Sequence, residues 1–169
     1  MNPKRALAVA ILAFAIAAPA SAQNVASGFA KGRTHFFVTG GTGYAFDESY
    51  LVLGAGLTYF PLDGLGVGLS FESWSGSDPS IRKVTPSVQY VFYQARTLKP
   101  YVGAFYRRTY IEGLRDLNSL GARAGAYLQA GRNLYLGFGA VYESYQDCTT
   151  GVYRKCNSTY PELTLTVAF

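Results

Sequence analysis

Four charged side chains, Glu72, Arg107, Arg123 and Glu143, lie on a face of an alternating pattern that is otherwise mostly Gly, Ser and Thr with a few Tyr. The pattern puts all four on one face. Two acids and two bases enclosed on one face are costly as isolated charges and tolerated as pairs. One reading is a salt-bridge plug. The other is a gate whose rearrangement opens a narrow pore. Glu162 lies on the final alternating stretch, where it either joins this network or binds water.

Other candidates carry less. His35 is the sole histidine. Acid–base or nucleophilic catalysis needs an assembled base and nucleophile, and the spacing around His35 offers none. Gly40-Gly41-Thr42-Gly43 and Gly64-Leu65-Gly66-Val67-Gly68 resemble phosphate loops only at first sight, because no helical pattern or Lys-Ser/Thr follows. No cofactor is expected.

The first 22 residues read as a cleaved secretory signal. Lys4 and Arg5 form a positive start, Ala6–Ala18 an apolar stretch, and Ala20-Ser21-Ala22 a small-residue cleavage site. The apolar stretch is too short for a membrane-spanning helix of ~20 residues. Residues 23–169 are then one exported domain. In an oxidising compartment, Cys148 and Cys156 around "TTGVYRK" read as one disulfide, against the alternative of two free thiols. A metal site there would need more ligands. The net charge of +5 comes from scattered residues, without the basic stripe that nucleic acid requires.

The elements that must position these groups are strands. Seven stretches alternate strictly: 51–59, 64–72, 84–93, 102–110, 121–129, 134–143 and 162–169. A weaker eighth spans 32–42, with Phe36 and Val38 on one face and His35, Phe37 and Thr39 on the other. Pro86 marks a bulge or a local break in pairing. Tight connections are expected at 61–63, 97–99 and 131–133. Longer polar ones are expected at 43–49, 75–82, 111–118 and 144–158. Short and long connections therefore fall on opposite ends of an eight-stranded antiparallel barrel.

Face chemistry decides which side is wet. Hydrophobic residues make up 49% of the chain and charged ones 15%, below the ~25% charge of soluble domains. The less apolar face carries Gly, Ser and Thr rather than a solvent coat of Lys and Glu. Small residues suit the crowded interior of a small barrel, and an apolar outer face suits lipid. Tyr90, Tyr106, Tyr110 and Tyr142 suit aromatic girdles. A soluble barrel with a polar exterior is the alternative. Each residue climbs ~2.3 Å along a tilted strand, which puts Glu72, Arg107, Arg123 and Glu143 in the outer half of the lumen and Glu162 lower.

These features together resemble the small eight-stranded outer-membrane β-barrels of Gram-negative bacteria, the OmpA/OmpX-like group. The resemblance covers Gly32–Phe169 and implies an up-and-down transmembrane barrel, monomeric and embedded in outer-membrane lipid and lipopolysaccharide. Leu163, Leu165, Val167 and Phe169 resemble the group's assembly signal, read by the barrel-insertion machinery. The barrel is expected to end the chain, without the peptidoglycan-binding domain of OmpA. A structural or surface-interaction role through the outer loops is expected. The alternative is a narrow or gated channel for small or hydrophobic solutes. A lipid A-modifying enzyme is least favoured, because His35 lies toward the periplasmic end, away from any matching nucleophile.

Overall fold

Period-two patterning leaves every second side chain on the same face, and a sheet built that way can bury its backbone in lipid only by closing on itself. A computed structural model describes residues 28–45, 48–146 and 156–169. Its strands are β1 (Thr34–Ala45), β2 (Glu48–Leu62), β3 (Leu65–Ser75), β4 (Ile81–Val91), β5 (Leu98–Ile111), β6 (Leu117–Gln129), β7 (Leu134–Tyr145) and β8 (Asn157–Ala168). They form a closed antiparallel barrel in sequence order. The signal segment and Cys148 lie outside the described residues.

The seam between β1 and β8 closes the cylinder. Its register runs from His35↔Ala168 to Thr39↔Thr164. Below it, Phe169 N–H donates to Thr34 O at 2.8 Å and Thr34 N–H to Phe169 O at 3.3 Å. The apolar terminus is thus held by backbone bonds. On the other side, β8 pairs with β7 from Val167↔Leu134 to Asn157↔Ser144.

Connections differ in detail from expectation. The loop expected at 43–49 is mostly strand, because Gly43, Tyr44 and Ala45 pair with Tyr50, Ser49 and Glu48. The turn expected at 97–99 instead spans 92–97, with Leu98 and Lys99 already in β5. Lys99 Nζ explains the wider turn: it donates to the carbonyls of Tyr93 at 3.1 Å and Ala95 at 2.8 Å. Pro86 pairs with Leu69 of β3 and interrupts pairing only on the β5 side, without a bulge. The β4–β5 pairs on either side, Val84↔Arg108 and Ser87↔Phe105, keep one register. The register shift lies instead between Tyr59 and Leu62, at Pro61, which has no N–H to offer. Asp63 and Gly64 make the turn after it, with Gly64 at φ +75°.

The outer wall is apolar on every strand. Phe36, Leu57, Leu69, Val88, Val102, Leu120, Leu136 and Leu165, one from each strand, are all at least 36% exposed. An encircling apolar band of this kind is far larger than a water-soluble monomer leaves bare. Tyr59 and Tyr90 lie toward its turn end, and Tyr106, Tyr110 and Tyr142 toward its loop end.

Inside, apolar clusters close both ends. Phe29, Phe60, Val91, Tyr101, Tyr127, Tyr135 and Ala168 pack at the turn end. Tyr50, Ile81 and Ile111, with Trp74 and Leu117, pack at the loop end. Glycine makes the close approach possible at two places. A Cβ on Gly121 would collide with the Phe105 ring, and one on Gly139 would lie 2.6 Å from the Tyr101 hydroxyl.

Candidate functional site

The charged residues of the inner face meet between the two apolar clusters. Arg107, on β5, is the centre of the upper group. Its Nη1 donates to Glu143 Oε2 at 2.8 Å and to the Tyr160 hydroxyl at 2.6 Å. Its Nη2 donates to Glu72 Oε1 at 3.2 Å, and its Nε to Thr85 Oγ1 at 3.0 Å. Glu143 is wholly buried. It also accepts from Ser119 Oγ at 2.5 Å and from the Tyr160 hydroxyl at 2.9 Å. One guanidinium thus satisfies two carboxylates from β3 and β7, geometry that Arg supplies and Lys does not.

Lys83 adjoins this group. It is buried on β4, directly opposite Glu72 in the β3–β4 register. Its ammonium lies 3.8 Å over the centre of the Trp74 ring. Trp74 Nε1 in turn donates to Glu72 Oε2 at 3.4 Å. The upper group is therefore electrically balanced, with Lys83 and Arg107 against Glu72 and Glu143.

Arg123 is elsewhere. Expected in the outer half beside Arg107, it sits at the middle of β6 and pairs with Glu162, Nη1 to Oε1 at 3.2 Å. Glu162 also accepts from the Tyr101 hydroxyl at 3.2 Å. The Phe105 ring separates the two groups. Its centre is 4.8 Å from Arg107 Cζ and 5.9 Å from Arg123 Cζ. A flat ring between guanidiniums lets each charge meet a π-face without meeting the other. The four expected residues are thus two layers rather than one network, and Glu162 completes the lower one.

A cavity bordered by Arg123, Glu162, Gln89 and Tyr127 has room for about one water molecule. Arg123 Nε, buried beside it, has no hydrogen-bond partner among the described residues. Below, His35 is enclosed by aromatic rings. Its centroid lies 4.8 Å from that of Phe29 and 4.7 Å from that of Phe60, and Nε2 is 2.6 Å from Gly28 O. His35 therefore anchors the segment before β1 and faces a backbone carbonyl. Among the described residues, no three His, Cys, Asp or Glu gather as a metal site.

Sequence reading missed Lys83, Tyr160, Ser119 and Phe29. Extending the alternation upward from Val84 would have placed Lys83 inside, and extending the last stretch backward from Glu162 would have placed Tyr160. Phe29 precedes every strand, so periodicity carries no signal for it. The terminal Leu163, Leu165 and Phe169 point outward, and Val167 is half-buried. Cys156 lies at the base of the last loop, where its carbonyl accepts from Tyr145 N–H at 2.9 Å. Its expected partner Cys148 is outside the described residues.

No protein-family model and no curated protein matches the sequence. Solved structures do match in fold. The N-terminal β-barrel domain of Pseudomonas aeruginosa OprF aligns with TM-score 0.65 at 15% identity, over 82% of this chain and 98% of that one. Neisserial surface protein A aligns with TM-score 0.53 at 16% identity, over 80% and 94%. A de novo designed transmembrane β-barrel aligns with TM-score 0.52 at 16% identity, over 83% and 95%. The chain has the fold of the small eight-stranded outer-membrane barrels. A designed barrel sharing the likeness underlines that the shared property is architecture.

Proposed function

We propose that this chain is an outer-membrane barrel that acts as a closed scaffold, presenting its loop end for structural or surface contact. The observation that carries this reading is the inverted distribution of polarity. An apolar band circles the outside, while ion pairs at mid-height and aromatic clusters at both ends occupy the inside. A scaffold filled this way offers its surroundings a wall and a set of loops. The surface location named for the Neisserial barrel supports the same reading.

In this reading the signal segment is cleaved before Gln23, the barrel is monomeric, and it is inserted by machinery that reads Leu163, Leu165, Val167 and Phe169. A Cys148–Cys156 disulfide ties the last outer loop. The chain is not an enzyme, and loss of a lipid A mass change on replacing His35 would refute that point. The scaffold reading is tested by planar-bilayer recording of refolded protein, with no steady openings expected. Steady openings abolished by Arg123→Glu would overturn it.

A gated channel is the second reading. Its supporting observation is that Arg107 touches two carboxylates from opposite sides, Glu72 and Glu143. A shift from one to the other would move the guanidinium across the lumen. Openings that appear only in Glu143→Gln would favour it.

A further inference from the structure

The outward face of the barrel wall carries almost no charge. Among the described strand residues, Arg82 on β4 and Arg108 on β5 alone combine a charged side chain with an outward register position. They are neighbours. Arg82 pairs with Tyr110 and Val84 with Arg108, so the two arginines lie diagonally across one strand pair. Diagonal neighbours on one face are roughly 7–8 Å apart at the backbone, within reach of a shared ligand for two long side chains. Arg108 Cζ lies 5.3 Å over the Tyr110 ring. Positions toward the loop end of the opposite wall hold Leu51, Tyr142 and Thr159, so charge is confined to one side.

The inner arginines are met by carboxylates that are buried, as Glu143 is, or mostly enclosed, as Glu72 and Glu162 are. The outer pair is not. Arg82 is exposed. Arg108 Nη2 donates to Asp116 Oδ2 at 3.1 Å, yet its side chain remains 52% exposed. Both lie at the level of Tyr106 and Tyr110, where an aromatic girdle meets lipid headgroups. A charge on the lipid-facing wall is tolerated near an interface and disfavoured at mid-depth. Two guanidinium forks at that level present several N–H donors in the plane that phosphate oxygens accept.

We infer that Arg82, Arg108 and Tyr110 form a site on the barrel wall for the phosphate-bearing headgroup of an outer-leaflet lipid. The site rests on the membrane-barrel reading above and adds a ligand class to it. Asp116 competes with the lipid for Arg108 and so weakens the site.

Native mass spectrometry of the barrel released from detergent micelles tests this. The probes are lipid A carrying both phosphates, the same acylated disaccharide without phosphates, and inorganic phosphate. Wild type should retain bisphosphorylated lipid A at least about ten-fold more strongly than Arg82→Gln/Arg108→Gln, the loss expected for two charge-assisted contacts. Asp116→Asn should retain more than wild type. Equal retention by wild type and the double variant overturns the site. So does equal retention of the phosphate-free lipid by wild type, a comparison that needs no variant. Displacement of the lipid by millimolar inorganic phosphate would make this a free-anion site and overturn the lipid assignment. Heat-modifiable mobility in SDS is checked on each protein first. Its absence in wild type refutes the barrel itself, whereas its absence in the double variant alone moves the test to the single variants.

Discussion

At the scale of residues, the interior is held by charges that cannot be removed singly. Arg107 joins Glu72, Glu143, Thr85 and Tyr160, and Glu143 is wholly buried. Removing one partner of such a pair leaves an uncompensated charge, at a cost of about 3–5 kcal/mol. Arg107→Ala should therefore lower unfolding stability by that amount in urea titration of micelle-refolded protein. Ser119→Ala, which removes one of several bonds to Glu143, should cost only about 1 kcal/mol. A double-mutant cycle on Arg107 and Glu143 should show strong coupling. Additive effects would mean that the 2.8 Å pair is not formed. Phe29 is a different case. It is fully buried among Phe60, Tyr127 and Tyr135 although it precedes β1. Gly64 N–H donates to its carbonyl at 2.9 Å and Lys31 N–H to Asp63 Oδ1 at 2.7 Å. Phe29→Ala should cost about 3–5 kcal/mol, the usual range for a buried aromatic. An unchanged urea midpoint would place this segment outside the barrel.

At the scale of elements, closure depends on one seam. Val38 and Leu165 face each other across β1 and β8, on the outward face. In a background with Cys148 and Cys156 replaced by Ser, Val38→Cys/Leu165→Cys should oxidise to an intramolecular bond joining the first and last strands. Failure to cross-link in folded protein would contradict the closed order. The strands themselves were legible because period two is written into each of them, and the outward set from Phe36 to Leu165 has the expected parity. The boundaries were less legible. Residues 43–45 pair with 48–50 beyond the alternating stretch, and backbone pairing leaves no trace in side-chain type. The two-layer grouping of charges was also hidden. Parity shows which face Arg123 occupies, but its partner depends on the Phe105 ring between the layers and on the reach of Glu162.

At the scale of the whole molecule, polarity is turned inside out. Fluorescence of the single tryptophan tests it directly. Trp74 lies on the inner face of β3, beneath the Lys83 ammonium. Leu53 lies on the outer face of β2 at the same height, opposite Ser73. In bilayers containing brominated lipid, native Trp74 should be quenched markedly less than a tryptophan introduced by Leu53→Trp in a Trp74→Phe background. Quenching of Trp74 as strong as that of the Leu53→Trp reporter would put the ion pairs on the lipid side and contradict the account.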